Sequence, residues 1–288
     1  MGACESDSSD EHLIACCPVK LSCNLPASRY TTVSCSGSIR RLIEPDSPEE
    51  LSAALEFLNA NSITWRVLGA GSNLIIRDNL MDAWVLKLGR GFRYFTEINS
   101  SRFLVGAGMS LMNLSRRLSE KGMSGLEFAG GIPATVGGAT RMNAGAHGGQ
   151  MSDVLTSIRY MTPEGRLITA NAQEFEWSYR ATTIPQSAII VEVELELKKD
   201  DPEVTKAKRQ ACLNERKARQ PLHFPSFGSV FKNPSPNQAA GQLIESAGLK
   251  GYRIGKAQVS TMHANWIVNP TREASAKDIL SLITYVQE

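Results

Sequence analysis

The sequence predicts an α+β protein in two parts, and three observations carry that expectation. Short β-prone runs cluster together, separated by Gly, Pro and Asn, and do not alternate one-for-one with helices. Two glycine-dense stretches, 69–73 and 122–149, interrupt the first part. Asp200-Asp201-Pro202 then reads as a boundary, and helical and short extended segments follow it. The expected division is a leader over residues 1–24, taken as disordered, a larger unit over 25–200 and a smaller α+β unit over 201–288.

Composition narrows the function classes. A chain of 288 residues can bury a large core. No run of about 18 apolar residues exists, so no membrane-spanning helix is expected. A net charge of +2 gives no general attraction to nucleic acid or to anionic lipid, and neither is expected as a partner. The basic residues between Lys198 and Arg219 alternate with Asp200, Asp201, Glu203 and Glu215, as on a solvated helix face. Five of the six cysteines fall within the first 35 residues, with neither a CxxC pair nor zinc-type Cys/His spacing. No metal is therefore expected, and the thiols read as reduced, in a cytoplasmic protein. The acidic, Ser-rich start, Glu5 to Glu11, lacks the basic end and apolar run of a secretory signal. Met1-Gly2-Ala3-Cys4-Glu5-Ser6 meets only the loose pattern for acylation.

The elements follow in order. Ser47-Pro48-Glu49-Glu50 reads as a helix start, with Ser47 as cap, Pro48 in the first turn and Glu50 closing a capping box. Leu51, Ala54, Leu55 and Leu58 then form one buried stripe, which Asn61 ends. Strands are expected at Thr64 to Leu68, Leu74 to Ile76, Val85 to Leu88, Phe92 to Ile98 and Phe103 to Val105. Leu111, Leu114 and Leu118 mark a second amphipathic helix, stopped at Gly122. A hairpin is expected around Pro163-Glu164-Gly165, and a strand over Ala188 to Lys198. Beyond the boundary come a helix from Glu203 to Arg219, an extended link from Pro221 to Pro225 and a strand at Ser229-Val230-Phe231. A helix over Asn237 to Ala247, capped by Asn237, two more strands and a helix over Ala274 to Val286 complete the chain.

Two loops carry the chemistry. Gly69-Ala70-Gly71-Ser72-Asn73 can turn tightly and bring successive N–H groups near a ligand, the arrangement that favours phosphate oxygens. It is not the Rossmann fingerprint, because a strand and not a helix is expected after it. The stretch from Gly125 to Gly149 sets Phe128, Ile132, Pro133, Val136 and Met142 among glycines. Such anchors suit a backbone laid against a flat ligand. Taken by themselves, Arg180 could be a surface residue and Ser229 a turn serine. No His or Asp accompanies Ser229 as in a hydrolase triad.

These two loops resemble those of the FAD-binding domain shared with vanillyl-alcohol oxidase. The run from Gly125 to Gly149, with Met142-Asn143-Ala144-Gly145-Ala146, resembles the UDP-N-acetylenolpyruvoylglucosamine reductase family over roughly Thr31 to Glu288. The resemblance implies FAD, held non-covalently because neither His nor Cys occurs in Gly69 to Leu74. It implies pyrophosphate contacts from Gly69, Ala70, Gly71, Ser72, Asn73 and Leu74. Contacts along the flavin and ribityl chain would come from Gly130, Gly131, Ile132, Pro133, Thr135, Gly137, Gly138, Asn143, Ala144 and Gly145. NADPH would supply hydride and UDP-N-acetylenolpyruvoylglucosamine would accept it, in peptidoglycan precursor synthesis. Ser178-Tyr179-Arg180 is similar to the family's Tyr-Arg element, which makes Arg180 the charge-stabilising residue. Gly228-Ser229 to Pro234 matches the element that supplies the proton donor, Ser229. Tyr179, Arg219 and Asn233 are expected to bind substrate. The short link from Arg180 to Ala188 is that of the family's shorter, second type.

One departure stands out. The family has a catalytic Glu on a strand after the last helix; Glu288 does not match that motif and is given no such role, so the C-terminal unit reads as incomplete. Another flavin oxidase on the same scaffold, a Rossmann enzyme and a nucleotide-binding module without chemistry are the competing readings.

Overall fold

The computed structural model describes residues 17–77, 80, 81, 83–235 and 237–288. The acylation pattern and most of the expected leader lie outside them. Within the leader range, however, Lys20–Pro26 is a strand, antiparallel to Ser38–Glu44 with Lys20 opposite Glu44. Cys17, Val19 and Leu21 pack against a buried cluster, which is why the chain is ordered before residue 25.

The first sheet runs Lys20–Pro26, Ser38–Glu44, Trp84–Leu86, Trp65–Val67, with Leu80–Met81 also beside Ser38–Glu44. Its last three pairings are parallel. Helix α1 (Pro48–Ala60) forms as its sequence dictates, with Ser47 Oγ accepting from the Glu50 N–H. The Glu50 carboxylate reaches one residue further than a capping box, to the Asp46 N–H at 2.7 Å. The α1 stripe packs on Ile43, Trp84 and Leu86 of this sheet and on Met161, Ile189 and Val191 of the next, so it fills the space between two sheets.

The second sheet is antiparallel throughout: Leu167–Asn171, Leu155–Met161, Ile189–Glu196, Arg102–Gly106, Phe95–Glu97. The expected hairpin closes at Gly165, whose φ of +79° suits glycine. Helix α2 (Leu111–Glu120) buries Leu111, Leu114 and Leu118 against this sheet, and the short helix α3 (Val136–Arg141) packs beside it. Helix α4 (Pro202–Arg219) packs on α2 and on residues 127–131, and Thr205 Oγ1 donates to Ser119 O at 2.7 Å. By packing, α4 therefore sits with elements of the first unit.

The C-terminal sheet orders Ser226–Ser229, Trp266–Val268, Ala257–Val259, Arg253–Ile254. Helices α5 (Ala240–Ser246) and α6 (Ala276–Gln287) contribute Ile244, Ile279 and Leu282 to its core. Three expectations shift. Leu74 to Ile76 forms no strand; Ile76 is buried in one core and Ile75 packs against another, so these side chains find burial without a ladder partner. The strand expected at Ser229 to Phe231 lies at Ser226–Ser229, because the Asn265 side chain bonds the N–H and C=O of Phe231 and replaces the ladder there. Helix α5 starts at Ala240, where Asn233 Oδ1, not Asn237, accepts the Ala240 N–H.

His263 sits half-buried in this unit, and its Nδ1 accepts from the Asn265 N–H at 3.2 Å. Burial pushes its pKa below the usual 6.5. The unfolded chain therefore binds a proton that the native state resists, and stability falls as pH drops below about 6.5. Urea unfolding followed between about pH 7 and pH 5 should give a shallower loss for His263→Gln than for the parent.

Candidate active site

Where the three sheets meet lies a cavity of about 2010 Å³. Among the described residues its wall holds nine arginines and Lys87 and no Asp or Glu. Exposed apolar side chains gather on the same wall: Val67, Leu74, Met112, Leu222 and Phe224. A site of this make-up suits an elongated ligand with several anionic groups and flat apolar rings.

The first glycine loop leaves the Trp65–Val67 strand with the Leu68 N–H bonded to Leu86 O. No N–H from Gly69 to Asn73 donates to another described protein group. Successive open amides can form a concave anion seat, and here Gly71 is buried and Gly69 and Ser72 are half-buried. Gly71 makes the bend possible: its φ is +68°, and a Cβ there would lie 1.8 Å from Tyr30 O. Among the described residues no helix follows Gly71: 72 and 73 are a turn and 74–77 are neither helix nor strand, which removes the Rossmann reading. Gly71→Ala should therefore displace the turn at Tyr30 or the loop, and purified protein should lose most of its bound FAD, as read from flavin absorbance per mole of protein.

The second loop works differently from the first. Val136, Gly137 and Gly138 N–H groups are already taken, by Met109 O, Ala107 O and Thr135 Oγ1. What the two glycines provide is closeness. A Cβ on Gly137 would lie 2.9 Å from the Ala107 Cβ, and one on Gly69 would lie 2.9 Å from Thr135 Oγ1, so the two loops touch. Gly131, Ile132, Pro133, Thr135, Gly137, Gly138, Ala144 and Gly145 line the cavity. Gly130 does not; it lies beneath Arg209. Asn143 is buried, and its side chain bonds Gln150, Ser178 O and the Ser152 N–H. It ties this loop to the hairpin that carries Arg180 and turns no polar atom to the cavity.

Tyr179 and Arg180 form the two-residue turn between Trp177–Ser178 and Ala181–Thr182. Arg180 has φ +60°, uncommon for a non-glycine residue and a modest stored cost. Its Nη2 donates to Gly145 O at 2.9 Å, and its guanidinium lies 5.4 Å from the Tyr179 ring centroid. Both contacts aim it along the second loop into the cavity. Tyr179 itself is exposed and off the cavity wall.

Ser229 reaches the same cavity from the opposite sheet. An extra residue in its strand, between the Ser226/Val268 and Ser229/Trp266 pairs, makes a bulge in which Gly228 has φ +85°. Bulges re-aim a side chain, and this one presents the serine to the cavity. Arg219 points away: it is exposed and paired with Glu215 at 3.1 Å. Asn233 is occupied by its bond to Ala240 N–H.

Sequence reasoning missed several wall residues. Arg141 donates to Ile184 O, Pro185 O and Ala188 O, which fixes the short link from 184 to 188 as part of the wall. Arg216 lies against Gly131 of the second loop, Gln220 lines the same cavity, and Trp266 pairs with Ser229 across the sheet. Arg216 could have been found as the position one turn before Gln220 on the α4 face that meets Gly131; the others carried no local signal.

Residues 39–171 match the family model described as an FAD binding domain. With the open amide loop and the carboxylate-free wall, this defines an FAD-binding-domain flavoprotein. Residues 220–288 match the model for the UDP-N-acetylenolpyruvoylglucosamine reductase C-terminal domain. Among curated proteins, the enzyme of that name from Anoxybacillus flavithermus is 41% identical over 261 residues, 90% of this chain and 85% of its own length. The Bacillus subtilis enzyme of the same name is 39% identical over 93% of this chain and 88% of its own. The crystal structure of UDP-N-acetylenolpyruvylglucosamine reductase from Thermus caldophilus superposes with a TM-score of 0.81 at 35% identity, covering 93% of this chain and 94% of that one. The chain belongs to the UDP-N-acetylenolpyruvoylglucosamine reductase family.

Proposed function

We propose that this protein reduces UDP-N-acetylenolpyruvoylglucosamine to UDP-N-acetylmuramate with NADPH, through non-covalently bound FAD, in the cytoplasmic synthesis of peptidoglycan precursors. The observation that carries the reading is the shared cavity, which holds an open amide loop, a carboxylate-free basic wall, and Arg180 and Ser229 from different sheets. FAD, when bound, would supply the hydride chemistry between the nicotinamide and the vinyl carbon of the substrate.

The residues divide the remaining work. The open amides from Gly69 to Asn73 would hold the FAD diphosphate, and the Gly131 to Gly138 segment would face the ring system. Arg180 binds the substrate carboxylate and stabilises the enolate charge that hydride addition leaves beside it. Ser229 Oγ delivers a proton to the adjacent carbon, and the bulge at Gly228 holds it in place. Arg141 keeps the wall at 184–188 closed against water. Tyr179, Arg219 and Asn233 lie off the wall, so substrate contact by them requires movement on binding.

The test is anaerobic. NADPH should bleach the flavin of the purified protein, and UDP-N-acetylenolpyruvoylglucosamine should restore its colour without oxygen. Restoration by oxygen alone would instead mark an oxidase on this scaffold.

A further inference from the structure

The second sheet ends on an edge that nothing among the described residues covers. Leu167–Asn171 is its outermost strand. Arg166, Leu167, Ile168 and Thr169 are exposed in succession, so neither α1 nor the 172–177 segment overhangs them. Exposed edge strands usually carry a device that blocks further pairing, such as Pro, Lys or a kink. The Lys20–Pro26 edge of the first sheet has all of these, with Asn24 at φ +52°. Leu167–Asn171 has none of them and presents Leu167 and Ile168, each 38% exposed.

The backbone fixes what can pair there. Hydrogen-bonded pairs alternate along an antiparallel ladder. The Thr162 N–H donates to Arg166 O, so Tyr160 with Ile168 and Ile158 with Ala170 are the next bonded pairs. Leu167, Thr169 and Asn171 therefore turn their N–H and C=O groups outward. The Asn171 N–H shows this phase, because Glu174 Oε1 accepts it at 2.7 Å. The N–H and C=O groups of Leu167 and Thr169 have no partner among the described residues. A second copy of the same strand, run antiparallel, satisfies all of them in one register: Leu167 opposite Thr169 of the second copy, and Thr169 opposite its Leu167. Setting either residue opposite itself leaves half of these groups unpaired, since the Gly165 N–H is taken by Thr162 O and the Asn171 N–H by Glu174. In the favoured register the Ile168 side chains meet on the two-fold axis. The Glu174 carboxylate, held at the Asn171 N–H, then stands beside Gly165 and Arg166 of the second copy. Opposite charges thus meet at both ends of the interface.

We propose that Leu167–Asn171 pairs with the same strand of a second copy of this chain, across a two-fold axis at Ile168, and joins two five-stranded sheets into one. The outward main-chain groups of Leu167 and Thr169, the Ile168 contact and the Arg166–Glu174 ion pairs hold the homodimer. None of residues 164–174 lines the cavity, so the interface is separate from the site described above.

The experiment uses the purified full chain. Sedimentation equilibrium across about 1 to 100 μM should show a species of twice the chain mass that dissociates on dilution. Thr169→Pro removes an outward N–H and no bond of the existing ladder, and should weaken association by about tenfold or more. Arg166→Glu should also weaken it, and adding Glu174→Lys to the same chain should restore it. Ile168→Cys should give a disulfide-linked dimer under mild oxidation, because facing residues of a non-hydrogen-bonded pair have Cα atoms about 4.5 Å apart. Leu167→Cys, which faces Thr169, should cross-link no more than the parent. Melting temperatures establish that the variants are folded, and Arg166→Glu carries the test if the proline variant is not. A single-chain mass throughout the range overturns the proposal and leaves the edge to a different partner. So does a dimer that Thr169→Pro and Arg166→Glu leave intact, which would place the interface elsewhere. Equal cross-linking through Leu167→Cys and Ile168→Cys overturns the register and the proposal with it.

Discussion

Ser229→Ala should retain FAD and be reduced by NADPH at the parent rate, while re-oxidation by UDP-N-acetylenolpyruvoylglucosamine slows by about 10²–10⁴-fold, the usual contribution of a positioned proton donor. The split follows from where Ser229 stands. It is at the end of the Ser226–Ser229 strand, on the cavity wall opposite the Gly131 to Gly138 segment, and has no hydrogen bond to FAD-loop residues. Loss of its hydroxyl removes a proton and little packing. Stopped-flow absorbance of the two half-reactions measures the outcome. Equal slowing of both halves would move the role of Ser229 from protonation to flavin binding. Ser229→Cys, with a more acidic group in the same place, should recover part of the second half-reaction and shift its pH profile.

Arg180→Ala should lower kcat by about 10²–10³-fold, the cost of removing one oriented donor for a developing anion. Its tertiary setting makes the test clean. Arg180 occupies the left-handed region in a two-residue turn, where a side chain is strained and glycine is not. Arg180→Gly should therefore match or exceed the parent in melting temperature while losing the same turnover. A turn residue with only a structural role would give the reverse pattern. Arg180→Lys should recover little, because an ammonium cannot make the two parallel bonds that a guanidinium offers a carboxylate. A kcat within threefold of the parent for the glycine variant would exclude the charge-stabilising role.

Much of the fold was legible because its signals are local. The α1 stripe, the Ser47 cap, the Pro163-Glu164-Gly165 hairpin and the stop at Gly122 each depend on residues within a few positions of one another. The failures share a different cause. Leu74 to Ile76 is apolar enough for a strand, but its side chains serve two cores and its backbone has no neighbour to pair with. The Ser226–Ser229 strand ends early because Asn265, more than thirty residues away, takes over the hydrogen bonds of Phe231. At the site, the glycine loops were visible as loops. That the first keeps its amides open while the second spends them internally was not visible, since both read as glycine among small residues.

The order of side chains along the chain was enough to determine the elements, the two glycine bends, and the candidate pair Arg180 and Ser229. Only the tertiary structure decided how those parts meet. Thr32 makes the junction: its N–H donates to Gly71 O, its carbonyl accepts from the Ser226 N–H, and its hydroxyl donates to Ser226 O at 2.6 Å. Val33 and Cys35 then continue into the C-terminal core, and Asn269 holds the carbonyls of Val33 and Ser34. One short segment near the start of the chain thus sets the first glycine bend against the serine strand nearly two hundred residues later. No local preference encodes that contact, because hydrogen bonds between distant segments exist only once both cores have closed around them.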